Sequence, residues 1–566
     1  MGERQTFQTE TVSWLGAKNR VIVTNESSSV VKTEQRPQII NLDQLPTPDR
    51  NLIDYSEYQV YVGHAGVKHS VAIQAARGCP YTCFYCDIYK TSPVHRRRSV
   101  ETIFDEVKML SDIGLKRFEF IDDIFNVHKR DFMAFFELIL KNNLDVSFYF
   151  PTGLKGDLLT KDMIDLMVEA GSIGINLSLE HAAKRLQEVM RKRLNVDILR
   201  DNLEYITQKY PHVMLTLNAM HGFPTETPEE AMQTLEYIMG IKWIDFPYLH
   251  NVRIFPGTEL ERYALESGVT REEIDQSQDM SYHQTAPTMP FDESFTYDIR
   301  LRFLKEYVLN KDRLLSILPY QLQEFDEDEL SQRYNSYFPG NRIQGLDDLL
   351  KLARIDRSEI EPDHPFDEES VRVPEIVSKL ESIFPSKSRK KGSLRIMLLD
   401  LSTYFTNETG TGEYGVLEPP FGLMALLTYA NREFGDRIDG KIYKSRIDFD
   451  SLDDLGKLVD EFCPEVIGIR AMTFYKELCQ DVATYLRKRG VAVPIIAGGP
   501  HPTGSYNDIL EDGNVDIAVI SEGEITFSRI IDKILSRDED LMDQNVLRGI
   551  KGIDFSRLNN RIRQNT

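Results

Sequence analysis

With 566 residues, 41% hydrophobic and 28% charged, the chain is too long for one core and fits a soluble protein of several domains. Its net charge of −22 argues against nucleic acid as the main partner, because phosphate binding needs a positive surface. Five cysteines are odd in number and too few for a disulfide framework, which suits a reducing, cytoplasmic setting, and no apolar run approaches the ~18 residues of a membrane span. From Val71 to about Ile254 short apolar stretches read as strands: VAIQAA (71–76), RFEFID (117–122), VSFYF (146–150), IGINLS (173–178), VMLTLNAM (213–220) and YLHNVRI (248–254). Amphipathic segments such as SVETIFDEVKMLSDIG lie between them. This alternation predicts parallel βαβ units and a six-strand partial barrel that works at the C-terminal ends of its strands.

Residues 266–392 lose the alternation and read as a helical extension expected to shape a pocket, ending in the polar linker PSKSRKKGS (385–393). From Leu394 the strands return as LRIMLL, GKIYKS, EVIGI, VPIIAG and VDIAVI, a doubly wound, Rossmann-like pattern with ligands outside the strand ends. VSWLGAKNRVIVTN (12–25) and IDFSRLNNRIRQN (553–565) echo each other, and each predicts a β-hairpin. The expected divisions are 1–70, 71–265, 266–392, 393–545 and 546–566.

Three of the five cysteines, Cys79, Cys83 and Cys86, fall within RGCPYTCFYC. Three thiolates at C-x3-C-x2-C spacing on a loop leaving a strand suit one soft metal centre. A zinc site would need a fourth ligand, with His95 the nearest candidate; an iron–sulfur cube would keep one iron open. The loop, its position after the first barrel strand and Tyr85 before the last cysteine resemble the radical S-adenosylmethionine (SAM) superfamily. RRRSVETIFDEV, FEFIDDIF, LSLEHAAKRLQEVMRKRL, HGFPTETPEE and VRIFPGTEL follow in that family's order. The resemblance implies a [4Fe-4S] cluster on Cys79, Cys83 and Cys86, with SAM chelating the open iron and yielding a 5′-deoxyadenosyl radical. It also implies SAM contacts from Tyr85, Asp122 and Glu180. Lys155 and Asp157 stand where relatives have Arg-x-Asp, and lysine lacks arginine's bidentate fork. The run HRRR (95–98) is either a solvated loop or a means of steering an anionic substrate.

EPPFGLMALLTYA, EVIGIRAMTF, IIAGGPHPT and ISEGEITF, in this order, resemble the cobalamin-binding domain found with many radical SAM enzymes. The resemblance implies that Pro420, Gly422, Thr473, Gly498, Gly499, Pro500, His501, Glu522, Gly523 and Glu524 line cobalamin. No Asp-x-His-x-x-Gly motif is present to ligate cobalt from below. Arg470 ends the EVIGI strand, either beneath the corrin or in an outward salt bridge. Relatives place this domain before the barrel, joined by a segment like INLDQLPTPDRNLIDY (40–55), so the order here suggests a circular permutation with the corrin still facing the barrel mouth. Cys463 and Cys479 are expected to be buried and structural. The implied activity is a cobalamin-dependent methyltransferase acting on an unactivated carbon of a small-molecule or peptide substrate, supplied with electrons by a donor such as flavodoxin or ferredoxin. Cyclisation or rearrangement with the same cofactors, or a non-catalytic cobalamin sensor, are the other readings.

Overall fold

The computed structural model describes residues 30–278, 286–338, 343–386, 391–406, 416–536 and 544–556. The segment 12–25 lies outside them, as does the expected C-terminal hairpin beyond Ser556. In chain order the strands are β1 (Val30–Lys32), β2 (Ser70–Ile73), β3 (Ala76–Arg77), β4 (Arg96–Arg97), β5 (Arg117–Phe120), β6 (Ser147–Leu154), β7 (Ser172–Glu180), β8 (Met214–His221), β9 (Phe246–Asn251), β10 (Leu394–Asp400), β11 (Ile438–Lys444), β12 (Val466–Arg470), β13 (Ile495–Gly498), β14 (Ile517–Val519) and β15 (Ile553–Ser556).

Strands β2-β5-β6-β7-β8-β9 form one parallel sheet in chain order, with a helix after each of β5 to β8. Parallel neighbours need such crossovers, and the helices cover the outer face. Along β8, Leu215, Leu217 and Ala219 are buried under the helices, while Thr216, Asn218 and Met220 on the other face are only half-buried. Phe118, Phe120, Phe135, Phe136, Phe148 and Phe150 fill the strand–helix layer. Each such ring contributes roughly 1.5–3 kcal/mol by leaving water.

The second sheet has the order β1-β15-β14-β13-β12-β10-β11. Its parallel part, β10 to β14, is doubly wound, and the order reverses between β10 and β12, where such folds open a ligand crevice. Apolar side chains cover both faces of this sheet, so β10 is buried along nearly all its length. The N-terminal β1 pairs antiparallel with β15, so both ends of the described chain meet at one edge of the C-terminal sheet. From there residues 33–50 cross to the barrel, where buried Arg50 pairs with Glu106 at 2.8 Å.

The extension packs at both ends of the barrel: Phe291 stacks on His221 and Arg300 donates to Asn251 at the C-terminal ends of β8 and β9, while residues 311–334 lie beneath it. Arg313 Nε donates to Ile244 O at 3.0 Å, Arg117 Nη2 donates to Glu324 O at 2.7 Å, and Lys68 pairs with Asp326 at 2.5 Å. All three barrel positions lie at or just before the N-terminal ends of strands. The aromatic content of residues 266–384 serves this contact: Phe325 and Tyr334 pack on Phe246 with ring centroids 6.0 Å away.

Candidate active site

The cysteine loop leaves β2 through β3. Gly78, directly before Cys79, has φ of +81°, and a Cβ there would come within 2.5 Å of the carbonyl oxygens of Ser92 and Val94. Only glycine fits. Two adjacent carboxylates at the end of β5 hold the same backbone: Ala76 N–H donates to Asp122, and Gly78 N–H donates to Asp123 Oδ2 at 2.7 Å. Cys79, Cys83 and Cys86 are half-buried free thiols, with Cys86 N–H donating to Cys83 O at 3.1 Å in a tight turn. Burial pushes the Cys86 thiol up to about 12 and raises the Cys79 and Cys83 thiols as well. His95, the candidate fourth ligand of a zinc site, packs against the His128 ring at 5.3 Å.

Next to the loop, Tyr85 Oη donates to Glu180 Oε1 at 3.1 Å, and buried Lys192 forms an ion pair with the same carboxylate. Asp122 departs from expectation. It is 1% exposed, its carboxyl is raised to about 7 by burial, and it does not line the cavity described below. It supports the loop from behind. HRRR is neither solvated nor free to steer a substrate. Arg96 is buried against Glu522 at 2.7 Å, Arg98 pairs with Glu106 at 2.5 Å, and Arg97 stacks on Phe125 at 4.4 Å.

Across from the loop lie the C-terminal ends of β12, β13 and β14. One cavity of about 780 Å³ joins the two domains, within the range of cofactor sites. Tyr85, Cys86, Gln74 and Met220 line it from the barrel. Gly422, Thr473, Gly498, Gly499, Pro500, Glu522, Gly523 and Glu524 line it from the C-terminal domain. It continues between the sheet and the helices Phe421–Phe434 and Glu524–Ser536, past Leu398, Gly468, Ile496 and Val519. A Cβ on Gly422 would meet nothing within 4 Å, so this helix offers bare backbone to the space. Gly499 has φ of +108°, and a Cβ there would meet Ala471 O at 2.9 Å. A long, mostly apolar slot with glycine at its walls fits a flat macrocycle and its tail.

Of the expected cobalamin contacts two lie off this cavity, and Glu180, like Asp122, is not among its lining residues. His501 is 1% exposed within its own domain, and Pro420 sits one residue before the helix whose Phe421 does line the space. Arg470 lines the cavity with its guanidinium held by Asp400 at 3.1 Å, and Lys444 reaches Asp400 at 3.2 Å. Cys479 is buried as expected, but Cys463 is exposed at the C-terminal end of its helix.

Sequence reasoning missed a clasp between the domains. Glu522 receives Arg96 at 2.7 Å, Arg36 at 3.4 Å and Arg77 at 3.6 Å, while Arg77 also pairs with Glu524 at 2.6 Å. Ser521 Oγ donates to Thr91 O at 2.7 Å. Arg36, β3 and β4 are far apart in sequence, and only the fold brings them to one carboxylate. On the barrel's other side Val62 bridges Val416, and His64 forms an ion pair with Glu418.

The cysteine loop stands at the mouth of a parallel barrel and faces a doubly wound domain across one cavity. Residues 73–238 match the Radical SAM superfamily model and residues 409–531 the B12 binding domain model; the chain is a radical SAM protein with a cobalamin-binding domain, in that order. Its cofactors are a [4Fe-4S] cluster, SAM and cobalamin. An uncharacterized methyltransferase of Pyrococcus horikoshii is 26% identical over 246 residues, 43% of this chain and 51% of that protein. The anaerobic magnesium-protoporphyrin IX monomethyl ester cyclase of Rubrivivax gelatinosus is 27% identical over 229 residues, 40% of this chain and 39% of that one. The chain thus spans about half, or less, of these relatives. Among solved structures, the radical SAM methyltransferase TsrM of Kitasatospora setae matches at 17% identity and a TM-score of 0.32, covering 38% of this chain and 40% of that one. The cobalamin-dependent radical enzyme OxsB matches at 13% and 0.34, covering 56% and 53%. Among the described residues no helix is long and apolar enough to cross a membrane.

Proposed function

We propose that the chain is a cobalamin-dependent radical SAM methyltransferase acting on an unactivated carbon of a small-molecule or peptide natural-product intermediate. The observation that carries this reading is the single cavity with Cys86 on one wall and the glycine-lined slot on the other. When bound, the cluster and SAM supply a 5′-deoxyadenosyl radical that abstracts hydrogen, and the corrin supplies the methyl group. Cys79, Cys83 and Cys86 hold the cluster. Glu180 and Lys192, a carboxylate and an ammonium beside the loop, hold the amino and carboxylate groups of SAM, with Tyr85 orienting Glu180. Gly422, Gly498, Gly499 and Gly523 seat the corrin. Apolar Met220, Phe255, Leu398, Leu426 and Phe474 keep water from the cavity, which protects a radical from quenching.

Methylthio transfer needs three further cluster cysteines, and Cys463 and Cys479 are the only two left; one is exposed and the other buried. Ring closure is the second reading, favoured by the likeness to the anaerobic cyclase. The test is anaerobic turnover of the reconstituted protein with methyl-labelled SAM on candidate substrates. The expected result is 5′-deoxyadenosine together with S-adenosylhomocysteine and a labelled product. A substrate that gains a ring and no label, with 5′-deoxyadenosine formed, would establish cyclisation instead.

A further inference from the structure

Strand β7 ends in an irregularity. Ser178 pairs with Asn218 on β8, yet Glu180 pairs with Ala219, so Leu179 is the extra residue of a bulge. Glu180 follows with φ of 62°, in the left-handed region that a long side chain occupies only under constraint. Bulge and turn together aim the Glu180 carboxylate at the cysteine loop, where it receives Tyr85 Oη and pairs with Lys192. The next residue, His181, is fully buried and braces the turn from inside. Its Nδ1 accepts from Ala183 N–H at 3.0 Å, so that nitrogen carries no proton. Its Nε2 donates to Glu226 Oε1 at 2.9 Å, which makes the imidazole the neutral Nε2–H form. Gln187 Nε2 donates to Leu179 O at 3.0 Å on the other side of the turn.

Glu226 ties this brace to two more elements. Its Oε2 accepts Gly222 N–H at 2.5 Å and Phe223 N–H at 2.9 Å on the loop after β8. Phe223 meets the His181 ring edge-on with centroids 6.0 Å apart, and it stacks on Phe84, between Cys83 and Tyr85, at 6.1 Å. His181 therefore stands where the end of β7, the loop after β8 and the cysteine loop converge, without itself lining the interdomain cavity.

We propose that His181 is a positioning residue for SAM: through its hydrogen bonds to Ala183 and Glu226 it holds the left-handed turn that aims Glu180. This rests on the reading above in which Glu180 contacts SAM. Without the imidazole the turn loses its inner brace, and Glu180 relaxes to an ordinary strand conformation that carries its carboxylate off the loop.

The test compares reconstituted wild-type protein and variants for iron content, cobalamin affinity and SAM affinity, the last by anaerobic equilibrium dialysis with labelled SAM. A further readout is the change that SAM causes in the electron paramagnetic resonance spectrum of the dithionite-reduced cluster. His181→Phe keeps a ring and removes both hydrogen bonds. Glu226→Gln keeps an oxygen for the two backbone N–H groups but turns an amide N–H toward that of the imidazole. His181→Gln keeps a donor that reaches Glu226. The expected result is at least ~10-fold weaker SAM binding in the first two, no further loss when they are combined, and recovery to within ~3-fold of wild type in His181→Gln. Iron content and cobalamin affinity stay unchanged. At a SAM concentration that saturates wild type, the spectral change is lost in His181→Phe and Glu226→Gln. Unchanged SAM affinity in these two, or loss of iron and cobalamin together with SAM, overturns the positioning role; if His181→Phe does not fold, Glu226→Gln decides. Glu180→Gln separates the two readings. If it binds SAM as tightly as wild type, the Glu180 contact fails and this proposal with it. If it binds weakly while His181→Phe binds normally, only the positioning role fails.

Discussion

Gly78 is a single residue on which the whole loop turns. Its left-handed backbone and the two carbonyls facing it leave no room for a methyl group, so Gly78→Ala should displace Cys79. Iron content after anaerobic reconstitution should fall several-fold while far-ultraviolet dichroism stays unchanged. Cys79→Ala, Cys83→Ala and Cys86→Ala should each abolish SAM cleavage outright, read as 5′-deoxyadenosine formed under dithionite. Asp400 makes a prediction about pH. Burial works to raise its carboxyl, but Lys444 and Arg470 more than offset this and hold it near about 2. A carboxyl that is more acidic folded than unfolded stabilises the protein above pH ~4 and loses that contribution as pH falls toward 2. Asp400→Asn should therefore cost about 2 kcal/mol at pH 7, with the gap from wild type closing between pH 4 and 2 in denaturation measurements. The cysteines were legible from spacing. Asp122 was not legible, because a carboxylate at a strand end looks the same in sequence whether it faces a ligand or braces a loop from behind.

Among the elements, the strands were the most readable, because burial leaves a period. The alternation along β8 marks a strand with helices on one side and a lumen on the other, and the continuous apolar run of β10 marks one covered on both faces. The segment after β14 lines the cavity with its ISEGE motif as expected, and the Glu522 and Glu524 carboxylates are in addition held by three arginines from the barrel side, which sequence did not reveal. Removing one partner of such a buried cluster leaves an uncompensated charge, at a cost of roughly 3–5 kcal/mol. Arg77→Met should loosen the clasp, increase proteolysis between the domains and weaken cobalamin binding at least tenfold, as judged by absorbance after gel filtration. The same variant should retain its iron if the clasp only joins domains. Gly422→Leu acts on one element alone: it should expel cobalamin and leave the iron content untouched.

For the whole molecule the decisive feature is that neither domain encloses the cavity by itself. A ligand seated there bridges both domains and stabilises both. Cobalamin at a hundred times its dissociation constant adds about 2.7 kcal/mol to the folded state. Wild-type protein should then melt in one transition at a higher temperature, and Arg77→Met should show two, with only the C-terminal one shifted, in differential scanning calorimetry.

By itself, the sequence determined the three cysteines and their loop, the two α/β alternations, the glycines of the C-terminal motifs and the order of the two domains. These are local properties, set by spacing, periodicity and backbone conformation over a few residues. The tertiary structure alone decided that β1 completes the sheet of a domain that begins more than 360 residues later. It also decided that residues 311–334 support the barrel from below, that HRRR is spent on structure and that Arg36, Arg77 and Arg96 meet on Glu522. Those outcomes depend on which buried charge finds which partner across hundreds of residues. A charged residue reads alike in sequence whether solvent or a carboxylate from another domain satisfies it.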